Sequence, residues 1–323
     1  MTLPVVPGNS MSFSQINTEL GLASTTLISL NQASVRTLAG VGASPATISI
    51  TNLSGKANQF AFTISTNQSN ANLRTLAVNA GWNQSSKVVA TINAGVYVSA
   101  SSTGSDGLTI NGAWPGGVDL INNGFITGMG GVGGTGGQAT FAGAPGNQGK
   151  RGSDGSPGGR ALLVSSAVTI TNNGTIGGGG GGGGGGTGSL SIYPGGECAV
   201  YNWRGGGGGG GGRTGATNSG GGAGGTTEVG GGSNGNAGSA GTNSGGGAGG
   251  AGKTSPGACG PAFSGAGGTG GTWGSSGAAG GTAASFTGFN QSGSAGGGGA
   301  GACISGNSNI TYITTGTRLG SIS

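Results

Sequence analysis

Eight residues, Gly247-Ala-Gly-Gly-Ala-Gly-Lys253-Thr254, satisfy the G-x-x-x-x-G-K-[ST] pattern of a phosphate-binding loop. That chemistry needs a buried strand before the loop and a helix after it, whose first amides hold the phosphate. Here Gly-Ser-Ala-Gly-Thr-Asn-Ser precedes and Ser-Pro-Gly-Ala-Cys-Gly-Pro follows, so neither flank fits. The chain has no histidine, which removes a Ser-His-Asp triad and any histidine acid or base. Its acids, Glu19, Asp106, Asp119, Asp154, Glu197 and Glu228, form no close sequence pair. Cys198, Cys259 and Cys303 stand at long spacings without histidine, which excludes the usual zinc patterns. Three reduced thiols fit that odd count, as does one disulfide with one free thiol. The residues therefore predict no enzyme, no cofactor and no metal.

Recognition is the remaining chemistry. Non-glycine residues concentrate in three inserts of an otherwise glycine-rich segment. Residues 189–204 hold Tyr193, Tyr201, Trp203 and Arg204; residues 253–263 hold Phe263; residues 283–294 hold Phe286, Phe289 and Asn290. Aromatic and arginine side chains on loops over a rigid scaffold suit a binding surface. They equally suit a cap that shields backbone from water.

The scaffold must come from glycine, which supplies 88 of 323 residues. Ten consecutive glycines run from Gly177 to Gly186 and eight from Gly205 to Gly212. Around them glycine recurs every third residue, as in Gly143 to Gly158, Gly232 to Gly241 and Gly265 to Gly280. Three residues per turn is the polyproline II repeat, which rises about 3.1 Å per residue and has no internal hydrogen bonds. Its outward N–H and C=O groups can bond neighbouring helices sideways. A helix surrounded on all sides needs glycine on all three faces, so the two pure runs are expected at the centre of a bundle. The G-x-y series are expected at its rim. The inserts then become turns at rod ends, alternate turns falling on the same end. With only 9 prolines and short repeats the chain is not collagen.

The first residues differ in kind. Ser12 with Gln15, and Ser29 with Gln32, read as capping boxes of two short helices closed by Gly21 and Gly40. An extended stretch is expected at 47–51, a half-buried strand at Phe60-Ala-Phe62-Thr-Ile64, a helix over 70–80, and short strands at 88–92, 96–98 and 108–110. Val118-Asp-Leu-Ile-Asn-Asn-Gly-Phe-Ile126 and Val168-Thr-Ile-Thr-Asn-Asn-Gly-Thr-Ile176 share the pattern V-x-[LI]-x-N-N-G-x-I, each leading into glycine. Asn-Gly suits a tight turn with positive φ. A net charge of +5 with scattered basic residues argues against nucleic acid. No segment has the length and apolarity of a membrane helix or signal peptide, so no membrane insertion is expected.

The N-N-G repeat before polyglycine, with the loop-interrupted tracts, resembles the receptor-recognising adhesins at the tips of T-even-type phage long tail fibres. Gly-rich tail proteins of other tailed phages are similar too. Phe13-Ser-Gln-Ile-Asn-Thr-Glu-Leu-Gly21 and Val35-Arg-Thr-Leu-Ala-Gly40 resemble a module of phage tail and fibre proteins. The resemblance implies a sandwich of polyglycine II helices whose loops contact outer-membrane proteins or surface glycans. It gives Tyr193, Tyr201, Trp203, Arg204, Phe263, Phe286, Phe289 and Asn290 the receptor-binding role.

The expected fold is mixed. Residues 1–86 form a small α/β attachment module that binds other tail or fibre proteins, and 87–127 a short-strand region. Residues 128–303 form the polyglycine II bundle, and 304–323 a strand returning to the β part. The expected function is a virion tail or tail-fibre tip adhesin, made in the host cytoplasm. The rival is a structural tail component such as a tip, baseplate or fibre connector.

Overall fold

The computed structural model describes residue 3 and residues 11–42, 45–56, 59–140, 148–191, 202–227, 232–255, 262–284 and 292–323. Helix α1 (Phe13–Glu19) starts as its capping box predicts: the Ser12 hydroxyl accepts the Gln15 N–H, and the Gln15 side chain accepts the Ser12 N–H at 2.8 Å. Helix α2 (Ala33–Ala39) ends at Gly40 in the left-handed region, but its N-cap is Gln32 and carries no side-chain cap bond. Ser29 is spent on the preceding turn, where its carbonyl accepts the Gln32 N–H. The stretch expected to be extended instead closes into a 3-10 turn, Ile50–Leu53, because Ser49 and Asn52 form a capping box of their own. These elements bury Ile16, Val35, Leu38 and Leu53 in a separate small core.

From residue 59 the chain winds into a parallel β-helix of three faces. The first coil is β1 (Gln59–Ile64), β2 (Gln68–Ser69) and β3 (Ala71–Asn72); helix α3 (Leu73–Asn79) follows, capped by the Asn72 side chain. The second is β4 (Lys87–Ile92), β5 (Tyr97–Ser99) and β6 (Leu108–Ile110). The third begins with β7 (Val118–Asn122) and β8 (Phe125–Thr127), leaves as a glycine excursion carrying the hairpin β9 (Ala139–Thr140) and β10 (Gln148–Gly149), and resumes at β11 (Leu162–Val164). The fourth is β12 (Val168–Asn172) and β13 (Thr175–Gly177). Its longer excursion carries the hairpins β14 (Ser189–Ser191) with β15 (Asn202–Arg204) and β16 (Thr254–Ser255) with β17 (Ala262–Phe263), and it returns at β18 (Ile304–Ser305). The last coil is β19 (Ile310–Thr314) and β20 (Thr317–Leu319), with Ile322 bridging back to Ile304.

In-register stacking makes the core. Val88, Val118, Val168 and Ile310 lie above one another, as do Val98, Ile126 and Ile176, and Leu108, Leu162 and Ile304. Parallel pairing of equivalent positions explains why the V-x-[LI]-x-N-N-G-x-I repeat exists: its copies are successive coils. Asn122 and Asn172 point inward and are fully buried. The Asn122 amide donates to Asn172 Oδ1 at 2.8 Å, and the Asn172 amide donates to the Thr315 carbonyl at 2.8 Å, an amide ladder down the coil axis. The expected positive φ is absent at Gly124 and Gly174, although Gly316, equivalent to Gly174 in the last coil, adopts it. The two glycines answer instead to close approach, since a Cβ on Gly174 would overlap the Gly124 carbonyl. At the far end Arg318 lies over the Tyr312 ring, 4.9 Å from its centroid, and closes the interior column.

The hydrophobic contacts divide the chain between Leu53 and Phe60, not at 86: β1 to α3 belong to the β-helix core. The glycine head is likewise two excursions, 128–160 and 178–302, from the same corner of consecutive coils, and β11 to β13 between them belong to the β-helix.

Within the head, ten tracts among the described residues run alternately away from and back to the β-helix: 128–137, 150–159, 178–187, 205–213, 220–226, 233–241, 246–252, 264–272, 275–283 and 293–302. The ten-glycine run shows how they bond. The N–H groups of Gly179, Gly182 and Gly185 donate to Gly159, Ser156 and Ser153; those of Gly180, Gly183 and Gly186 to Arg213, Gly210 and Gly207; those of Gly181, Gly184 and Thr187 to Ser275, Ala278 and Gly281. Its carbonyls accept from 128–137, 264–274 and 298–301, so six tracts surround it. The run 205–212 is surrounded in the same way. Every residue of both runs is buried. A Cβ at Gly182 would overlap the Val132 carbonyl oxygen, and one at Gly183 that of Gly268, whereas at Gly299 on the rim it would meet nothing.

Two outcomes follow from this packing. Gly182→Ala should destabilise the head by about 1–3 kcal/mol or more while Gly299→Ala leaves the thermal midpoint in place, as thermal melting of the purified chain would read. Asn172→Ala leaves Asn122 with one buried partner fewer and should cost about 1–3 kcal/mol in denaturant unfolding.

Candidate functional site

The tract 128–137 starts at β8, which fixes its first residue beside the β-helix and its last at the far end. Hydrogen bonds place other residues at that far level: Gly137 N–H donates to Gly186, Gly206 to Gly137, Gly207 to Gly265, Thr187 to Gly281 and Gly205 to Ser233. The described residues flanking 141–147, 192–201, 228–231, 256–261 and 285–291 therefore all stand at the end away from the β-helix. The turns at 213–219, 242–245 and 273–275 stand at the near end.

Three short hairpins build the far end, and they pack on one another. Trp203 pairs across its hairpin with Leu190, and together with Ala139 they form a small core. Trp203 is 5% exposed and Arg204 8%, and the Arg204 guanidinium donates to the Trp203 carbonyl at 2.7 Å. Burial holds Arg204 below the usual arginine pKa. Phe263, opposite Thr254, is 37% exposed. Trp203 and Arg204, expected among the contact residues, are thus the interior of the platform in this chain, because the hairpin has to cover its own glycine base. Phe263 faces outward. Tyr193, Tyr201, Phe286, Phe289 and Asn290 lie outside the described residues.

The near end carries a joint that sequence reasoning missed. Tyr97 stacks on Phe125 with centroids 4.6 Å apart, Phe125 meets Trp273 at 5.9 Å, and the Arg213 guanidinium lies 3.7 Å over the Trp273 ring. The Trp273 N–H donates to the Thr214 carbonyl at 3.1 Å. Strands of the β-helix and turns of the head supply this column in equal parts. Tyr97 and Phe125 are paired neighbours of successive coils, and no repeat marks this in the sequence, because the earlier coil reads Val88-Val-Ala90 where the pattern has V-x-[LI].

Catalytic alternatives find no support among the described residues. Lys253 and Thr254 sit where a glycine tract passes into a hairpin strand, with no helix following. Asp106, Asp119 and Asp154 are each tied to a cation in a different place, Arg160, Lys87 and Arg151. No group of three or more His, Cys, Asp or Glu could hold a metal ion among the described residues. Burial pushes the Cys303 thiol up to about 11, so it stays protonated, and it donates to the Ile176 carbonyl. No described helix is long and apolar enough to cross a membrane.

The described residues thus form a backbone-bonded body with the flanks of its inserts at one end. The family model for the phage tail fibre adhesin Gp38 matches residues 59–323, and the chain belongs to that family. Its role is therefore that of a binding and structural component of a phage tail fibre. Among solved structures, the gp37-gp38 adhesin tip complex of the bacteriophage S16 long tail fibre is similar, with a TM-score of 0.51 and 22% identity over 96% of this chain and 97% of that one. At that identity the likeness is one of fold. No curated protein matches.

Truncating the two described aromatics of the far end should separate their roles. Trp203→Ala should cost about 3–5 kcal/mol of stability, while Phe263→Ala should leave the melting temperature within about 1 °C of the parent, since surface changes stay within about 0.5 kcal/mol.

Proposed function

We propose that this chain is the tip adhesin of a phage long tail fibre, and that it binds a bacterial outer-membrane protein or surface glycan through loops at the far end of a polyglycine II bundle. The observation that carries the reading is the common placement of the residues flanking the five long inserts. The three-residue period of the lateral bonds, with each N–H turning to a different neighbour in succession, supports polyglycine II geometry for the tracts. A scaffold held this way loses little entropy when its loops meet a receptor. Tyr193, Tyr201, Phe263, Phe286, Phe289 and Asn290 are the contact residues in this reading, with Trp203 and Arg204 holding the platform beneath them.

Attachment falls to residues 1–56 together with the adjoining β-helix end. The N-terminal unit exposes Phe13, Leu22, Leu27 and Ile50, with Leu27 at 97%. Such side chains suit docking onto another fibre protein, and the similar S16 structure is itself a complex of two fibre proteins. The protein is made in the host cytoplasm and works in the virion.

Exchange of residues 192–201, 256–261 and 285–291 between two related phages tests this. Host range should follow the exchanged segments. Normal virions whose adsorption ignores the exchange would leave a structural tail component in its place.

A further inference from the structure

Close to the far end of the head the described residues of three tracts line a cleft. It measures about 410 Å³ and lies between 150–153 on one side and 223–226 on the other, with 135–138 as its floor. That volume falls within the range of small-ligand sites, but the wall chemistry differs from the usual apolar one. Thr135, Gln138, Ser153 and Thr226 offer hydroxyl and amide groups, glycine backbone supplies much of the rest, and no aromatic or large apolar side chain takes part. The Thr135 and Ser153 hydroxyls lie 3.0 Å apart, and Ser153 also accepts the Thr135 N–H, which fixes both rotamers.

Two cations stand on one wall, and they are not equivalent. Arg151 is committed: it pairs with Asp154 and donates to the Ser294 carbonyl at 2.9 Å. Asp154 in turn accepts the Gly296 N–H at 2.6 Å, so that ion pair ties two tracts together. Lys150 is exposed, and its ammonium has no ion pair among the described residues. None of the cleft's lining residues is acidic. Glu228, two residues beyond Thr226 in the chain, lies outside the described residues.

An ammonium without an ion pair among the described residues, beside fixed hydroxyls and an amide on a floor without apolar anchors, selects against lipids and apolar peptides. It matches a ligand with many hydroxyls and one acid group. We propose that this cleft binds an anionic saccharide, with Lys150 on its carboxylate or phosphate and Thr135, Gln138 and Thr226 on its ring hydroxyls. Its role at a host surface rests on the adhesin reading above; the binding does not. A site of this kind would hold the head near an acidic glycan while the loops search for their own contact.

The full chain is titrated by calorimetry with three tetrasaccharide probes: an oligogalacturonate, a phosphorylated oligomannose and a neutral dextran fragment. The acidic probes should bind and the dextran should not. Binding confined to one acidic probe supports the proposal and identifies its acid group. Lys150→Gln should weaken binding about tenfold or more, Lys150→Arg should retain it, and Ala223→Trp, on the exposed wall, should abolish it by filling the cleft. Lys253→Gln removes an equal charge outside the cleft and should change nothing. Equal binding of dextran, equal losses in Lys150→Gln and Lys253→Gln, or full binding by Ala223→Trp would each overturn the proposal. If the cleft fails while loop exchange still redirects adsorption, the adhesin reading stands without it; the reverse result would leave a glycan-binding tail component.

Discussion

Every buried peptide group needs a partner, and the glycine head meets that demand without helices or long strands. Its tracts make no bonds within themselves, so each N–H and C=O must find a neighbouring tract. The only arrangement that satisfies a tract from all sides is a lattice, and a lattice this close excludes Cβ atoms. A Cβ on almost any residue of 178–186 would overlap a neighbour's carbonyl oxygen. Glycine's large loss of backbone entropy on ordering is offset by hydrogen bonds rather than by apolar burial. That is why a chain with 32% hydrophobic residues can still be ordered over most of its length.

A lattice of identical residues has no register of its own, because sliding a tract by three residues restores the same bonds. The β-helix supplies the register. Thr127 pairs with Gly177 on its second face, and the same parallel ladder continues as Gly128 to Gly177 and Gly131 to Gly180. The Gly178 N–H reaches the Leu319 carbonyl of the last coil, so the central run is pinned on both sides at its root. β-helix side chains, with Val, Ile and Leu stacked in line and Asn122 bonded to Asn172, cannot slip without breaking contacts. Specificity of position thus flows from the part with side chains into the part without them, and the Tyr97–Phe125–Trp273–Arg213 column secures the crossing.

The lattice was legible in the sequence because its cause is a single residue type at a fixed period. The central place of 177–186 and 205–212 followed from needing glycine on all three faces. The β-helix was half legible. Its strands could be placed from alternation, and two of its coils from the N-N-G repeat. The second coil hides behind Ile92-Asn-Ala-Gly95 and the last behind Thr314-Thr-Gly316, where the buried amide is shifted or replaced. Missing those copies put the domain boundaries in the wrong places, since β1 to β3 pair only with strands met later in the chain. The far end was least legible. A Trp and an Arg in a loop read the same whether they face a partner or cover their own hairpin, and burial of Trp203 depends on Leu190 across the same hairpin and on Ala139 from another one.

The separation of duties has a consequence for how such a protein can change. The lattice bonds among the described residues join backbone atoms that all residues share, at glycine-rich tracts outside the inserts. Loop length is weakly constrained, since closing a longer loop costs only a slowly growing entropy. A conventional core would couple each surface change to packing beneath it; among the described residues the side-chain packing at this end is the small cluster of Ala139, Leu190 and Trp203. On the adhesin reading, that arrangement lets the contact surface vary while the pillar stays fixed. The same rigidity sets a limit on that reading: a body that cannot adjust its frame leaves most variation to its inserts.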